Sequence, residues 1–219
     1  MHNLLIIKQN YLKIIKKEVL QISSKILKKK INKIENIFSE LYSSKKRASL
    51  FDALNMMISL QHVNYEVKKI IEKKTGFHLL NWTYPQVRLD GDFSKSFAAP
   101  LHLDRWILDN KKKGIVVWFP LNEKGSSIFV HKKKKLKKIV RHNYWGLESL
   151  DKIKLKKINV PFGKALIFDE SLVHQSNNKD NNRVTVQFRY EITDFNNYKR
   201  TVNQVIDANV KNFWINKNI

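Results

Sequence analysis

The sequence contains no cysteine, which excludes a disulfide scaffold, a thiolate metal site and a cysteine nucleophile. Arginine is scarce. Of 42 Lys and Arg residues only seven are Arg, whereas bidentate recognition of bases and phosphates favours the guanidinium. The formal charge of +23 therefore speaks to solubility and non-specific association, and no specific nucleic-acid partner is expected. Lys, Asn and Ile are over-used together, as in a compositional drift rather than a selected surface. No apolar run approaches the ~20 residues needed to cross a bilayer. Leu4-Leu5-Ile6-Ile7 is followed at once by Lys8, without a small-residue cleavage site, so neither a membrane span nor a secretory signal is expected. The default compartment is the cytoplasm.

What is present suits one globular domain with appendages: 219 residues, 42% of them hydrophobic, with twelve Phe, seven Tyr and five Trp to fill a core. From Leu12 to Leu41 apolar residues recur in steps of three and four, with Lys between them. That is an amphipathic helix, with a break expected near Ser23-Ser24 or Lys30, whose stripe packs on the domain or on a second copy as a homodimer. A second helix is expected from Ser49 through Leu60, and a third from Val63 to Lys74, closed by Gly76. After Gly76 the texture changes to β-rich runs: Phe77–Thr83, Gln86–Leu89, Gly114–Leu121, Ser126–Val130, Lys164–Phe168 and Val184–Ile192. Turn signals at Gly125, Gly146, Gly163 and the Asn-rich stretch 177–182 divide them, at spacings suited to a sandwich or barrel. The fold class expected is α+β, mainly β. Residues 1–76 form the helical N-terminal region and residues 77–219 the β core.

The β half carries the informative chemistry. His102-Leu103-Asp104 places two metal-capable side chains at i and i+2, which share one face of a strand. His174, at the end of Lys164–Phe168 and its continuation Ser171–Val173, is the best candidate for a third ligand. Two imidazoles and one carboxylate on one face of an ion leave positions open, an arrangement suited to Fe(II) reacting with O₂. A His beside an Asp is also commonly a hydrogen-bonded structural pair, and both readings stand on the triplet alone. Arg183 follows His174 across a turn as a fixed cation of the kind a dicarboxylate needs. Gln86 and Arg88 alternate onto one face of the strand before the triplet. They can line a pocket; for Arg88 an exposed position competes with a role on a substrate carboxylate. Arg189 shares the face of Arg183 and is a second anion-binding candidate.

Over roughly Gln86 to Tyr190 the sequence resembles the Fe(II)- and 2-oxoglutarate-dependent oxygenases, most closely the phytanoyl-CoA dioxygenase-like branch. The resemblance rests on four blocks in order: Pro100-Leu-His102-Leu-Asp104-Arg105; Val116 to Asn122 leading to Gly125-Ser126; Val160-Pro161-Phe162-Gly163 to Asp169; and His174-Gln175-Ser176 with Asn178 and Arg183. It implies a double-stranded β-helix, a jelly-roll or cupin-like fold, preceded by helices. It implies His102, Asp104 and His174 as iron ligands and Arg183 as the anchor for the distal carboxylate of 2-oxoglutarate. Ser176 matches a residue that helps hold that co-substrate, and Trp118 a cavity-wall aromatic, for which a plain core role is an equal reading. Where the family places a Pro-Gly-Ser-His element, this chain has Phe129-Val130-His131-Lys132-Lys133, and His131 is not expected to be a ligand. His62, His78 and His142 read as structural or surface residues.

The implied reaction uses Fe(II), O₂ and 2-oxoglutarate, which is decarboxylated to succinate while an unactivated C–H is hydroxylated. Retention of Asp104 argues against the halogenating variants. The substrate is expected to be a small or carrier-linked metabolite. Arg88, Arg105 and the basic run Lys132–Lys138 favour an anionic one, and a further similarity to oxygenases of surface-carbohydrate assembly points to a carbohydrate. Two other classes remain: a non-catalytic β-helix that binds a metal or ligand, and a basic nucleic-acid binder.

Overall fold

The computed structural model describes residues 2–42, 45–90, 101–104, 112–131, 140–142, 146–148, 154–176 and 182–199. In chain order these form β1 (His2–Ile6), α1 (Gln9–Leu27), α2 (Glu35–Tyr42), α3 (Arg47–Asn55), α4 (Ile58–Thr75), β2 (His78–Asn81), β3 (Gln86–Asp90) and β4 (Lys113–Pro120). There follow β5 (Ser126–His131), β6 (Val140–His142), β7 (Gly146–Glu148), β8 (Leu155–Val160), β9 (Lys164–Asp169), β10 (His174–Ser176) and β11 (Arg183–Thr193). Among the described residues all strand pairings are antiparallel. The larger sheet runs β1-β9-β4-β11-β2, with β3 also on β11; a second sheet runs β10-β5-β8, and β6 pairs with β7.

The long N-terminal periodicity is split. α1 ends at Lys28, which is left-handed (φ 57°) and whose N–H returns to Ser24 O. Ser24 Oγ donates to Leu20 O and accepts from Ile31 N at 2.9 Å, so one hydroxyl fixes the reversal between α1 and the following turn. The next boundary also differs from the sequence expectation. Met57 adopts an extended conformation and buries its side chain, so α3 stops at Asn55 and Ile58–Leu60 belong to α4. Gly76 (φ 71°) closes α4 as expected, its N–H on Glu72 O at 2.8 Å.

Two apolar layers set the architecture. On one side of the larger sheet, Val117, Phe119, Val186, Phe188 and Tyr190 pack against Leu12, Ile15 and Val19 of α1 and Leu50, Leu60 and Val63 of α3 and α4. The apolar stripe of α1 is thus covered by the chain's own sheet and helices. On the other side, Val116, Trp118, Leu166 and Phe168 meet Ile128, Val130 and Val160 of the second sheet. The molecule is α+β, layered as helices, sheet, sheet. Because side chains alternate along a strand, β11 sends Val184, Val186, Phe188 and Tyr190 to the helices. Arg183, Thr185, Gln187 and Arg189 face the space between the sheets, and all four are buried.

Leu4-Leu5-Ile6-Ile7, given no element by its sequence, contributes to the edge strand β1. Leu5 and Ile7 are buried while Leu4 and Ile6 are exposed, the alternation of a half-buried strand. It pairs with β9 from His2↔Phe168 to Ile6↔Lys164. Ser171–Val173 does not continue β9; the next strand begins at His174.

Candidate metal centre

His102 and His174 are brought together by backbone hydrogen bonding. His102 N donates to His174 O at 2.9 Å and His174 N to His102 O at 3.0 Å, an antiparallel bridge between residues far apart in sequence. Residues directly opposed across such a bridge project to the same face. Their ring centroids accordingly lie 4.1 Å apart. β10 is anchored in turn on β5, with His174 opposite Val130, and the Phe168 ring meets His174 edge-on at 4.9 Å.

Asp104 completes the group. One ligand atom from each of His102, Asp104 and His174 lies within 4.8 Å of the others, and all three residues are buried. His174 Nδ1 lies 2.9 Å from Leu172 O. A carbonyl only accepts, so this nitrogen carries the proton and Nε2 keeps its lone pair. Burial pushes the His174 pKa below its ordinary value; the Asp104 carboxylate and the Leu172 carbonyl pull the other way without prevailing. The ring is therefore neutral at neutral pH, the form that ligates metals.

Asp104 is fully buried, and burial alone would raise its pKa. The Arg189 guanidinium, followed by His174 and His102, outweighs that effect and holds the carboxyl below its ordinary value. Arg189 Nε donates to Asp104 Oδ1 at 2.9 Å, while Nη1 donates to Gln86 Oε1 at 2.9 Å. Asp104 Oδ2 is left without a hydrogen bond among the described residues, 3.6 Å from His174 Nε2. Two buried lone-pair donors thus face one another across a gap that no proton bridges. A divalent cation fits this donor set, because it would satisfy both atoms at once and match the imidazole and carboxylate preferences of a first-row metal.

The predicted anion-binding residues fall into three environments. Arg183 is buried: Nε donates to Asp90 Oδ2 at 3.0 Å, Nη1 to Ser127 O at 2.7 Å and to Ser126 Oγ at 3.3 Å, and its guanidinium carbon lies 5.9 Å from the Trp118 ring centroid. Arg189 is engaged by Asp104 and Gln86, as above. Arg88 is half-buried, with Nη2 3.5 Å from Asp90 Oδ1. Ser176 is buried on β10 opposite Ile128, and Trp118 is buried between the sheets. Arg105 and Lys132–Lys138 lie outside the described residues. His131 is buried with Nδ1 3.1 Å from Lys154 O and is not in the metal group. His62 and His78 sit against Tyr11 and against Phe195 and Tyr198.

Three residues at this site escaped the sequence reading. Asp90 pairs with Arg183 because β3 and β11 place them opposite one another. Thr185 and Gln187 occupy the positions between the two arginines on the same face of β11, and Thr185 Oγ1 and Gln187 Oε1 are buried without hydrogen bonds among the described residues. Alternation along Val184–Ile192 was a signal for both; the Asp90 contact depends on strand register, which no local pattern reveals.

No family model matches the chain, and no curated protein matches it. Among solved structures the chain is similar to a non-heme monooxygenase, ThoJ in its apo form, with a TM-score of 0.49 at 13% identity, over 86% of this chain and 71% of that one. It is similar to EvdO2 from Micromonospora carbonacea var. aurantiaca (TM-score 0.35, 16% identity, 74% of this chain and 65% of that one). It is also similar to EvdO2 complexed with 2-oxoglutarate (TM-score 0.34, 15% identity, 73% and 64%), so the chain spans less than two thirds of EvdO2.

Proposed function

We propose that this chain is an Fe(II)- and 2-oxoglutarate-dependent dioxygenase of the phytanoyl-CoA dioxygenase-like type, built on a double-stranded β-helix and hydroxylating a small or carrier-linked metabolite in the cytoplasm. The observation that carries the reading is the buried His102, Asp104 and His174 group, with the Asp104 Oδ2 atom unpartnered and the His174 tautomer fixed to offer Nε2. Bound iron would supply a site at which O₂ and the 2-keto acid react together.

The chain's own residues have separable tasks. His102, Asp104 and His174 would hold the ion through three donors. Arg189 occupies Oδ1 of Asp104 and so leaves Oδ2, on the His174 Nε2 side, as the oxygen that would be offered to an ion. Arg183, with Trp118 beside it and Thr185 next on the same face, takes the distal carboxylate of the co-substrate; Ser176 assists. Arg88 and Arg105 favour an anionic substrate, and a carbohydrate is the other class the sequence points to. The apolar side chains between the sheets, Val116, Ile128, Val130, Leu166 and Phe168, keep bulk water from the reacting centre.

The reading is tested by measuring succinate formed from 2-oxoglutarate with Fe(II) and O₂, for the wild type and for His174→Ala. Succinate formation that is lost in the variant supports it. Metal uptake without succinate under any substrate mixture would instead favour a non-catalytic metal-binding β-helix, and absence of metal uptake would overturn both.

A further inference from the structure

We infer that Asp90 is a positioning residue that weakens dicarboxylate binding at Arg183, an inference that rests on the oxygenase reading above. Arg183 is 3% exposed and stands at the start of β11, directly opposite Asp90 on β3. Its Nε edge is occupied by Asp90 Oδ2 at 3.0 Å. Its Nη1 is occupied by Ser127 O at 2.7 Å and Ser126 Oγ at 3.3 Å. Among the described residues Nη2 makes no hydrogen bond. The paired fork with which a guanidinium grips a carboxylate is therefore not open to a ligand. An incoming carboxylate meets one nitrogen, together with the buried and unpartnered Thr185 Oγ1 on the next inward position of the strand.

The charges point the same way. Asp90 carries the anion that Arg183 would otherwise take from the ligand, and it sits on the same guanidinium that a ligand carboxylate would have to meet. Its other oxygen lies 3.5 Å from Arg88 Nη2, so a single internal carboxylate moderates two cations of the chamber. In the empty protein the pair with Asp90 spares Arg183 the cost of a lone buried charge. When a dicarboxylate binds, the same Asp90 repels it. Removing the charge while keeping the shape shifts both states in opposite directions: the empty protein becomes less stable, and the ligand binds more tightly because it now supplies the missing anion. Occupancy of the wild-type site would in this way follow the supply of 2-oxoglutarate rather than saturate at low levels.

The test is titration of 2-oxoglutarate into Mn(II)-loaded protein under conditions without turnover, for the wild type and Asp90→Asn, with Asp90→Ser as a second neutral variant should the first not fold. Two quantities are read: the dissociation constant, and the rise in thermal unfolding midpoint on adding 2-oxoglutarate. Asp90→Asn is expected to unfold at a lower temperature when empty, to gain more on adding 2-oxoglutarate, and to bind it about tenfold more tightly, the equivalent of roughly 1.4 kcal/mol. A purely structural role for Asp90 would loosen binding or leave it unchanged, and either result, with a wild type that does bind, overturns the inference alone. If neither protein takes up 2-oxoglutarate in the presence of Mn(II), the oxygenase reading itself fails and the inference with it.

Discussion

Replacing Arg189 by Gln tests the electrostatics of the His102, Asp104 and His174 group most directly. Arg189 Nε and Asp104 Oδ1 are 2.9 Å apart, and the side chains are 5% and 0% exposed. Solvent screening is therefore small. Taking the charge centres at about 4 Å and an effective dielectric near 20 gives an attraction of about 4 kcal/mol. Mutational experience with buried pairs broken on one side is similar, about 3–5 kcal/mol, because the remaining ion is left unpaired. The Gln amide can still reach Asp104 or Gln86, so the expected loss lies near the lower end, about 3 kcal/mol. A second cation should restore much of it. On the metal-binding reading, saturating Mn(II) would neutralise Asp104 from its unpartnered Oδ2, and the variant should regain more stability from the metal than the wild type does. Urea unfolding of both proteins, with and without Mn(II), reads these four values. Equal stability of the two metal-free proteins would refute the reasoning, as would a deficit that Mn(II) leaves untouched.

Acidification should destabilise the metal-free chain in a defined window. The folded His174 pKa lies below the ordinary 6.5, so on lowering pH the unfolded chain takes up this proton first, and stability falls below about pH 7 by up to roughly 1.4 kcal/mol per pH unit. Asp104, held below 3.8, adds a contribution that is present above the carboxylate range and vanishes as pH falls through its folded value. Unfolding midpoints measured across this range should show a shallower dependence in His174→Gln; an unchanged slope would assign the effect elsewhere. Gly125→Ala should lower stability by about 2 kcal/mol or more, since φ is 73° and an added Cβ would stand 2.5 Å from Val160 O. An unfolding midpoint equal to that of the wild type would contradict this.

The parts of the molecule that were legible in the sequence are those governed by local periodicity or by side-chain chemistry. α1, the closure of α4 at Gly76, and strands β4, β5, β9 and β11 all follow from spacing and turn residues. So does the inward face of β11, because alternation from Arg183 fixes Arg189. β1 was hidden because four consecutive apolar residues carry no visible alternation; only burial of Leu5 and Ile7 against exposure of Leu4 and Ile6 reveals it. β8 reads as polar because Lys157 and Asn159 lie on its solvent face and Lys156, on the face of Ile158 and Val160, is also exposed, so three of its six residues carry polar side chains. The gathering of His102, Asp104 and His174 was legible only through the family resemblance, and the particular contacts that achieve it had no local signal. The bridge between His102 and His174, the grip of Asp90 on Arg183 and that of Asp104 on Arg189 depend on register between distant strands.

The pairing of β1 with β9 has a consequence for how the protein comes into being. β1 leaves the ribosome well before β9, and the partner that satisfies its amide groups is synthesised only after the four helices and seven intervening strands have followed. Until then an apolar ribbon with open hydrogen-bonding edges must wait, and β9, when it arrives, has one free flank of its own. Such late closure slows folding and leaves both edges open to strands of neighbouring molecules. Lys8, directly after the strand, and the dense lysine of α1 place like charge beside that ribbon, so nascent copies repel one another during the interval in which they are most vulnerable to aggregation.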